Sequence, residues 1–339
     1  MINILITSAG RRSYLIKYFK EALKGLGKVY ASNSEYTIAL QESDGYFISP
    51  LIYDENYVNS IIEYCKLNNI KAVLSVFDID LLVLSKSKDI FELNGIKLLL
   101  SHEDTVMICN DKWKTYEFLI KNNLKTPKTY KSFHDVKNGL LNNEIKFPII
   151  IKPRWGMASM SIYQANDLNE LSFFFERAKK EIMNSYLKFE SSFTPDEIIL
   201  FQEKLNGKEF GLDIVNDLSG SYIGVFPKTK IQLRAGETDL GETVSPDEFE
   251  YLAKKLSKLL KHEVILSVDC FDIDGEKYLL EMNCRISGHY PLSHLAGVNL
   301  PKQIIDWIQD KPTDFNNFNF KQGLLITKDL MPVILNVPK

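Results

Sequence analysis

The chain has 339 residues, 45% hydrophobic and 25% charged, enough to bury a large core and to form two or three domains rather than one. Its 41 Lys and Arg nearly balance 44 Asp and Glu, leaving a formal net charge of -3. That excludes nucleic acid as the main partner, because phosphate-backbone binding needs clustered surplus base.

Four scattered cysteines (Cys65, Cys109, Cys270, Cys284) form no C-x-x-C pair and read as reduced thiols. At the N-terminus Arg11 and Arg12 follow the apolar run, the reverse of a secretory signal, and no segment reaches the ~20 apolar residues that span a bilayer. The expectation is a cytoplasmic protein with no membrane partner.

Residues 1–110 alternate strand and helix signals. Asn3-Ile-Leu-Ile-Thr7 is a short apolar strand, followed by helical spacing of Tyr14, Leu15, Tyr18, Phe19 and Leu23. A strand over 28–32, a helix carrying Val58, Ile61, Ile62 and Cys65, and a strand over 72–77 complete a βαβ pattern, which predicts a Rossmann-like parallel sheet. No G-x-G-x-x-G is present; Ser8-Ala-Gly10-Arg-Arg12 stands at the first turn.

Asn110 or Asp111 caps a helix that starts near Lys112 and ends near Asn122, and Thr126-Pro127 marks a boundary. A small α+β unit follows to about residue 195, with a strand over 147–152 and an amphipathic helix carrying Leu171, Phe174, Phe175, Ala178 and Ile182. From Glu197 the alternation of Phe210, Leu212 and Ile214 predicts antiparallel strands. The expected units are 1–110, 111–195 and 196–339. The polar stretch after Asp310 carries no pattern that assigns it a role.

The most informative stretch is a predicted hairpin around Asp274-Gly275. Along its second strand Tyr278, Leu280 and Met282 are expected on one face, and Leu279, Glu281 and Asn283 on the other. A three-residue turn (Asp274–Glu276) sets Asp269 opposite Glu281, whereas a two-residue turn puts it on the wrong face. Two carboxylates and an amide oxygen on one face suit a hard cation such as Mg²⁺. By itself the pattern is more often a solvated acidic face; Arg285 and the upstream segments change that balance.

Lys152 ends an apolar strand and precedes Gly156, Ser159 and Ser161, small residues that let backbone amides approach phosphates. It is not a Walker A loop. In Gln202-Glu203-Lys204-Leu205-Asn-Gly-Lys-Glu209, the backbone of Glu203–Leu205 can meet an adenine edge and Glu209 can accept ribose hydroxyls. Each segment alone also fits an ordinary loop, strand connection or surface lysine.

In order, these segments resemble the ATP-grasp superfamily, in particular its single-copy branch similar to carbamoyl-phosphate synthetase and the pyrrolysine-biosynthesis ligase. Tyr278-Leu-Leu-Glu-Met-Asn-Cys-Arg-Ile-Ser-Gly288 carries the E-x-N-x-R resemblance, with Asp269 twelve positions before Glu281. The resemblance implies a Rossmann-like domain followed by a two-lobed ATP-grasp fold. It further implies a carboxylate–amine ligase that uses ATP and Mg²⁺, two ions or Mn²⁺ in their place, through an acyl phosphate.

By the same resemblance Lys112 and Lys152 grip phosphates under the loop Gly156–Ser161. Glu203, Lys204 and Leu205 form the adenine hinge, and Glu209 is the ribose acceptor. Asp269, Glu281 and Asn283 are the metal ligands, with Arg285 and Arg234 as catalytic cations. Ser8, Gly10, Arg11, Asp78, Gly288 and His289 are candidates for contact with small-molecule carboxylate and amine substrates; dimers are common in the family, so a homodimer is one open assembly. The chain departs from the family in its glycine-poor loop after Lys152 and in Cys284, where proline is common. The rival readings are an ATP-dependent kinase or carboxylase-like enzyme, and a non-catalytic nucleotide-binding module.

Overall fold

Apolar runs too short for helices alternate with amphipathic segments over the first hundred residues, and they fold as parallel strands. The structure, a computed structural model, describes residues 1–157 and 159–337. β1 (Asn3–Thr7), β2 (Val29–Asn33), β3 (Gly45–Ile48), β4 (Ile70–Ser75) and β5 (Lys97–Leu98) form one sheet in the order β3-β2-β1-β4-β5. Every pair in it is parallel. The two-residue period of β1 feeds helices on both faces. Ile4 and Ile6 pack with Leu15, Ile16 and Phe19 of the helix Ser13–Leu23, whereas Leu5 joins Tyr57, Ile61 and Cys65 of the helix Tyr57–Leu67.

A second, antiparallel sheet contains β6 (Thr129–Tyr130), β7 (Ile149–Pro153), β8 (Tyr163–Ala165) and β9 (Ile199–Glu203), in the order β6-β9-β7-β8. The helix Leu168–Met183 covers it, burying Leu171, Ala178 and Ile182 with Ile149, Ile151 and Phe201.

The third sheet is antiparallel in the order β14-β13-β10-β11-β12-β15. Its strands are β10 (Lys208–Asn216), β11 (Tyr222–Arg234), β12 (Glu237–Thr243), β13 (Ile265–Ile273), β14 (Glu276–Asn283) and β15 (Leu325–Thr327). Phe210, Leu212 and Ile214 of β10 face the helix Asp247–Leu260, whose Phe249, Leu252 and Leu256 complete that core. Alternation therefore turns Gly211 and Asp213 to the opposite face.

The chain then returns to the first sheet. Leu300, Ile304, Ile305 and Trp307 of the helix Leu300–Ile308 share one core cluster with Ile4 and Phe19. The polar stretch after Asp310 gains its order from partners distant in sequence. Phe318 and Phe320 pack on Phe226, and β15 pairs with β12. Among the described residues, no helix is long and apolar enough to cross a membrane.

The hairpin differs from its expected geometry in one respect and keeps the consequence. Its turn has two residues, since Ile273 pairs with Glu276, and both Asp274 and Gly275 take positive φ. A bulge at Leu280 then restores the register: Cys270 pairs with Leu279, and Asp269 pairs with Glu281. The bulge also corrects the expected faces. Leu279, not Leu280, is buried with Met282 in the core.

Candidate active site

The acidic face of β13 and β14 is held by lysines from three directions. Lys230 of β11, itself buried, places Nζ 2.7 Å from Asp269 and 2.9 Å from Glu209. Lys112 Nζ lies 3.4 Å from Glu281 Oε1 and donates to the Gly156 carbonyl at 2.6 Å. Lys152, at the end of β7, is buried and donates to Gln202 Oε1 at 2.7 Å. Burial, with the Lys112 charge beside it and only Glu281 opposing, pushes Lys152 down to about 7. Burial opposes ionisation of Asp269 too, but Lys230 and His289 hold its carboxyl below the usual range.

Local structure explains why Lys112 stands there. Asp111 caps the helix Lys112–Lys121 by accepting from the backbone N–H of Trp113 and Lys114. The same carboxylate receives a bidentate pair from Arg154, Nε at 2.8 Å and Nη2 at 2.7 Å. The start of this helix is thereby tied to the end of β7, which brings Lys112 and Lys152 to one place. Of the two candidate caps, Asp111 is the one used.

Between them the loop after β7 has Gly156, Ser159 and Ser161 in positive-φ backbone, and Ser161 Oγ donates to Glu181. Ala158, within this loop, lies outside the described residues. Ser159 rests on the β11–β12 turn, where a Cβ on Gly236 would lie 2.3 Å from its Oγ. Arg234 stands at the exposed end of that turn and pairs with Asp239 at 2.7 Å.

Glu203, Lys204 and Leu205 link the two antiparallel sheets. Glu203 accepts from the Lys128 backbone at 3.2 Å, and Lys204 donates to Gln164 at 2.8 Å. Asn283 sits opposite Ser267, two residues beyond Glu281.

At the C-terminal end of the parallel sheet, Asp78 meets Arg285. The guanidinium gives Nε to Oδ1 at 2.8 Å and Nη2 to Oδ2 at 2.6 Å, and both residues are buried. Two predicted residues from distant segments thus face one another. Ser8 takes positive φ and donates to Asp80, a fully buried carboxylate that also accepts from Thr7, Ser75 and Tyr57. Gly10 has positive φ in the same turn, and Arg11 is exposed. Gly288 leaves room for Glu237, because a Cβ there would lie 2.6 Å from the carboxylate carbon. Burial opposes ionisation of Glu237, yet Lys328, Arg12 and Arg285 hold its carboxyl low. His289 is buried beside Asp213 and Ser267.

Sequence reasoning missed Lys230, Arg154, Asp213 and Glu237. Lysines at 228 and 230 share a strand face by period 2, but charge in a strand ordinarily signals a solvated side, and here both are buried.

The donor set fits a divalent cation. Asp269 and Glu281 are paired residues on neighbouring strands, and Asp269 Oδ1 is buried without a hydrogen-bond partner. Among the described residues no three His, Cys, Asp or Glu side chains cluster for a metal; Asn283, two residues beyond Glu281, adds a neutral amide to the same strand. Two carboxylates and an amide leave coordination positions that phosphate oxygens and water fill around Mg²⁺.

Known families match these same parts of the chain. Residues 4–99 match the PylC-like N-terminal domain, and 145–240 match the ATP-grasp domain. Residues 195–328 match the family described as ATP-grasp in the biosynthetic pathway with Ter operon. The chain thus carries ATP-grasp domains behind a PylC-like N-terminal domain. It is 25% identical over 288 residues to the coenzyme gamma-F420-2:alpha-L-glutamate ligase of Methanococcus maripaludis, covering 84% of this chain and 90% of that one. It is 23% identical to the carbamoyl phosphate synthase large chain of a Thermoanaerobacter species over 68% of its own length, and spans only 21% of that protein.

The fold is shared with the biotin carboxylase domain of Hydrogenobacter thermophilus 2-oxoglutarate carboxylase, solved with MgADP, ADP and bicarbonate. The TM-score is 0.73 at 16% identity, covering 94% of this chain and 72% of that one. ATP-grasp proteins use ATP with Mg²⁺, and this one is an enzyme of the ligase kind.

Proposed function

We propose that this ATP-grasp protein joins a small-molecule carboxylate to an amine, forming a C–N bond through an acyl phosphate and releasing ADP and phosphate. The observation that carries the reading is the Asp269–Glu281 pair on neighbouring strands, with Lys112 3.4 Å from Glu281 and the Lys152 charge felt beside it. An amino acid as one substrate is supported by the relative named a glutamate ligase.

Glu203–Leu205 receive the adenine edge and Glu209 the ribose. Asp269, Glu281 and Asn283 would hold the metal, as two ions, with Mn²⁺ able to substitute; bound there, it would supply charge neutralisation for the triphosphate. On loading, Lys230 and Lys112 give up the carboxylates they now pair with, and Lys112 turns with Lys152 to the phosphates. The substrate carboxylate attacks the γ-phosphorus, and the amine then displaces phosphate from the acyl carbon. Arg285, fixed by Asp78, lies next to the E-x-N strand and balances charge at the acyl phosphate, with Arg234 at the rim. The loop Gly156–Ser161 closes over the nucleotide and excludes water.

The substrates occupy the end of the parallel sheet, bounded by Ser8, Gly10, Arg11, Asp78 and Gly288, with Glu237 beside them. The enzyme acts in the cytoplasm with reduced cysteines, as a homodimer.

The test is phosphate release from ATP, screened over pairs of amino acids and small carboxylic acids. Release should require Mg²⁺ and both partners, and Asp269→Asn or Glu281→Gln should lower it at least about a hundredfold. Full turnover by Glu281→Gln would exclude this site, and release indifferent to the amine would point to a kinase or carboxylase instead.

A further inference from the structure

On the same face as Asp269, farther along β10 and β13, lies a buried chain of polar groups that the ligase reading leaves without a task. Asp213 Oδ2 pairs with the buried Lys228 ammonium and accepts from Ser293 Oγ at 2.7 Å. Its other oxygen, Oδ1, has no hydrogen-bond partner, and neither has His289 Nδ1, 3.4 Å away. On the far edge of the imidazole, Nε2 lies 2.8 Å from Ser267 Oγ and 3.8 Å from Asp269 Oδ1.

The ring packs tightly against the bare α-carbon of Gly211. A Cβ at Gly211 would lie 3.0 Å from His289 Cδ2 and 3.1 Å from Nε2. Gly211 pairs in register with Asp269, and Asp213 with Ser267, so the imidazole backs the strand that carries the metal carboxylate.

One tautomer satisfies these groups together. With the proton on Nδ1, His289 donates to Asp213 Oδ1, and its bare Nε2 accepts the Ser267 hydroxyl. Ser267 stands opposite Asn283, and Asp269 opposite Glu281. The ring therefore braces β13 at Ser267, two residues along the same face from Asp269.

We propose that His289, oriented by Asp213, is a positioning residue that holds the metal-binding face of β13, rather than a group that touches substrate. This rests on the ATP-site reading above. Buried ion pairs contribute little net stability compared with apolar packing, so a Lys–Asp–His chain at this spot is better explained by orientation. The need is specific: Asp269 must keep its aim once Lys230 releases it, and groups behind a ligand commonly set metal affinity.

The experiment measures equilibrium binding of β,γ-imido-ATP to the full chain across a Mg²⁺ titration, and separately in EDTA. His289→Leu should raise the Mg²⁺ concentration for half-maximal effect at least about tenfold, with metal-free binding unchanged. His289→Asn, whose amide can still donate to Asp213, should recover part of the loss. Gly211→Ala keeps the histidine but takes its space, and should shift the Mg²⁺ requirement in the same direction even if His289→Leu fails to fold.

Wild-type Mg²⁺ dependence in folded His289→Leu and Gly211→Ala would overturn the positioning role alone. So would equal weakening of binding in EDTA, the mark of a merely structural part. A wild-type protein whose nucleotide binding ignores Mg²⁺ would overturn the ATP-site reading, and this inference with it.

Discussion

Lys152 shows how burial tunes a single residue. Pushed down to about 7, it is partly neutral at physiological pH. In the proposed site a bound phosphate would raise that value, so nucleotide binding would take up a proton. Affinity for ATP should therefore fall as pH rises above about 7, by at most about tenfold per pH unit. Isothermal titration in buffers of different ionisation enthalpy should report the proton uptake, and Lys152→Met should abolish it. A flat affinity between pH 6.5 and 9 would show that Lys152 does not meet the phosphates.

At the scale of elements, the helix Lys112–Lys121 depends on one carboxylate. Asp111 caps it and binds Arg154, with both charges buried. Asp111→Ala leaves the guanidinium without that partner and should cost about 3–5 kcal/mol in urea unfolding, well beyond a surface cap. The end of the helix Asp247–Leu260 carries a pH-dependent contact. His262 follows it, fully buried, with Nε2 3.1 Å from the Ile214 carbonyl and Nδ1 3.4 Å from Asn216 Nδ2.

Burial pushes His262 down to about 4, below its value in the unfolded chain. The unfolded chain thus binds the extra proton between about 6.5 and 4, and the stabilisation present above that window is lost as pH falls through it. The loss amounts to about 2–3 kcal/mol. Thermal melts from pH 7 to pH 4 should show it, and His262→Gln should flatten the slope.

Across the whole molecule, several contacts join the parallel sheet to the ATP-binding lobes, the Lys88–Glu263 ion pair among them. Arg285 reaches Asp78 from just beyond the signature strand, and Tyr53 donates to Glu190 while its ring packs, tilted, on Phe189 at 4.5 Å. Glu190 is buried, and burial raises its carboxyl. Tyr53→Phe should leave it unpartnered at a cost of about 1–3 kcal/mol. Hydrogen exchange over residues 184–193 should then quicken while β1 and β4 stay protected. Unchanged exchange there would mean that the small lobe is held by other contacts.

Local chemistry was legible in the sequence. The short apolar run of Asn3–Thr7, period 2 in Phe210–Ile214, helical spacing in Leu171–Ile182 and the cap before Lys112 each depend on neighbours a few residues apart. So did the hairpin with Asp269 facing Glu281, though by the wrong route, since a bulge at Leu280 and not a longer turn sets that register. A bulge answers to packing of Leu279 and Met282 against a distant helix, which no local pattern encodes. Charged groups inside the fold were hidden for the same reason. Whether Lys228, Lys230 or His289 meets water or a carboxylate depends on strands brought together from far along the chain, because burial and Coulomb pairing are properties of space and not of sequence separation.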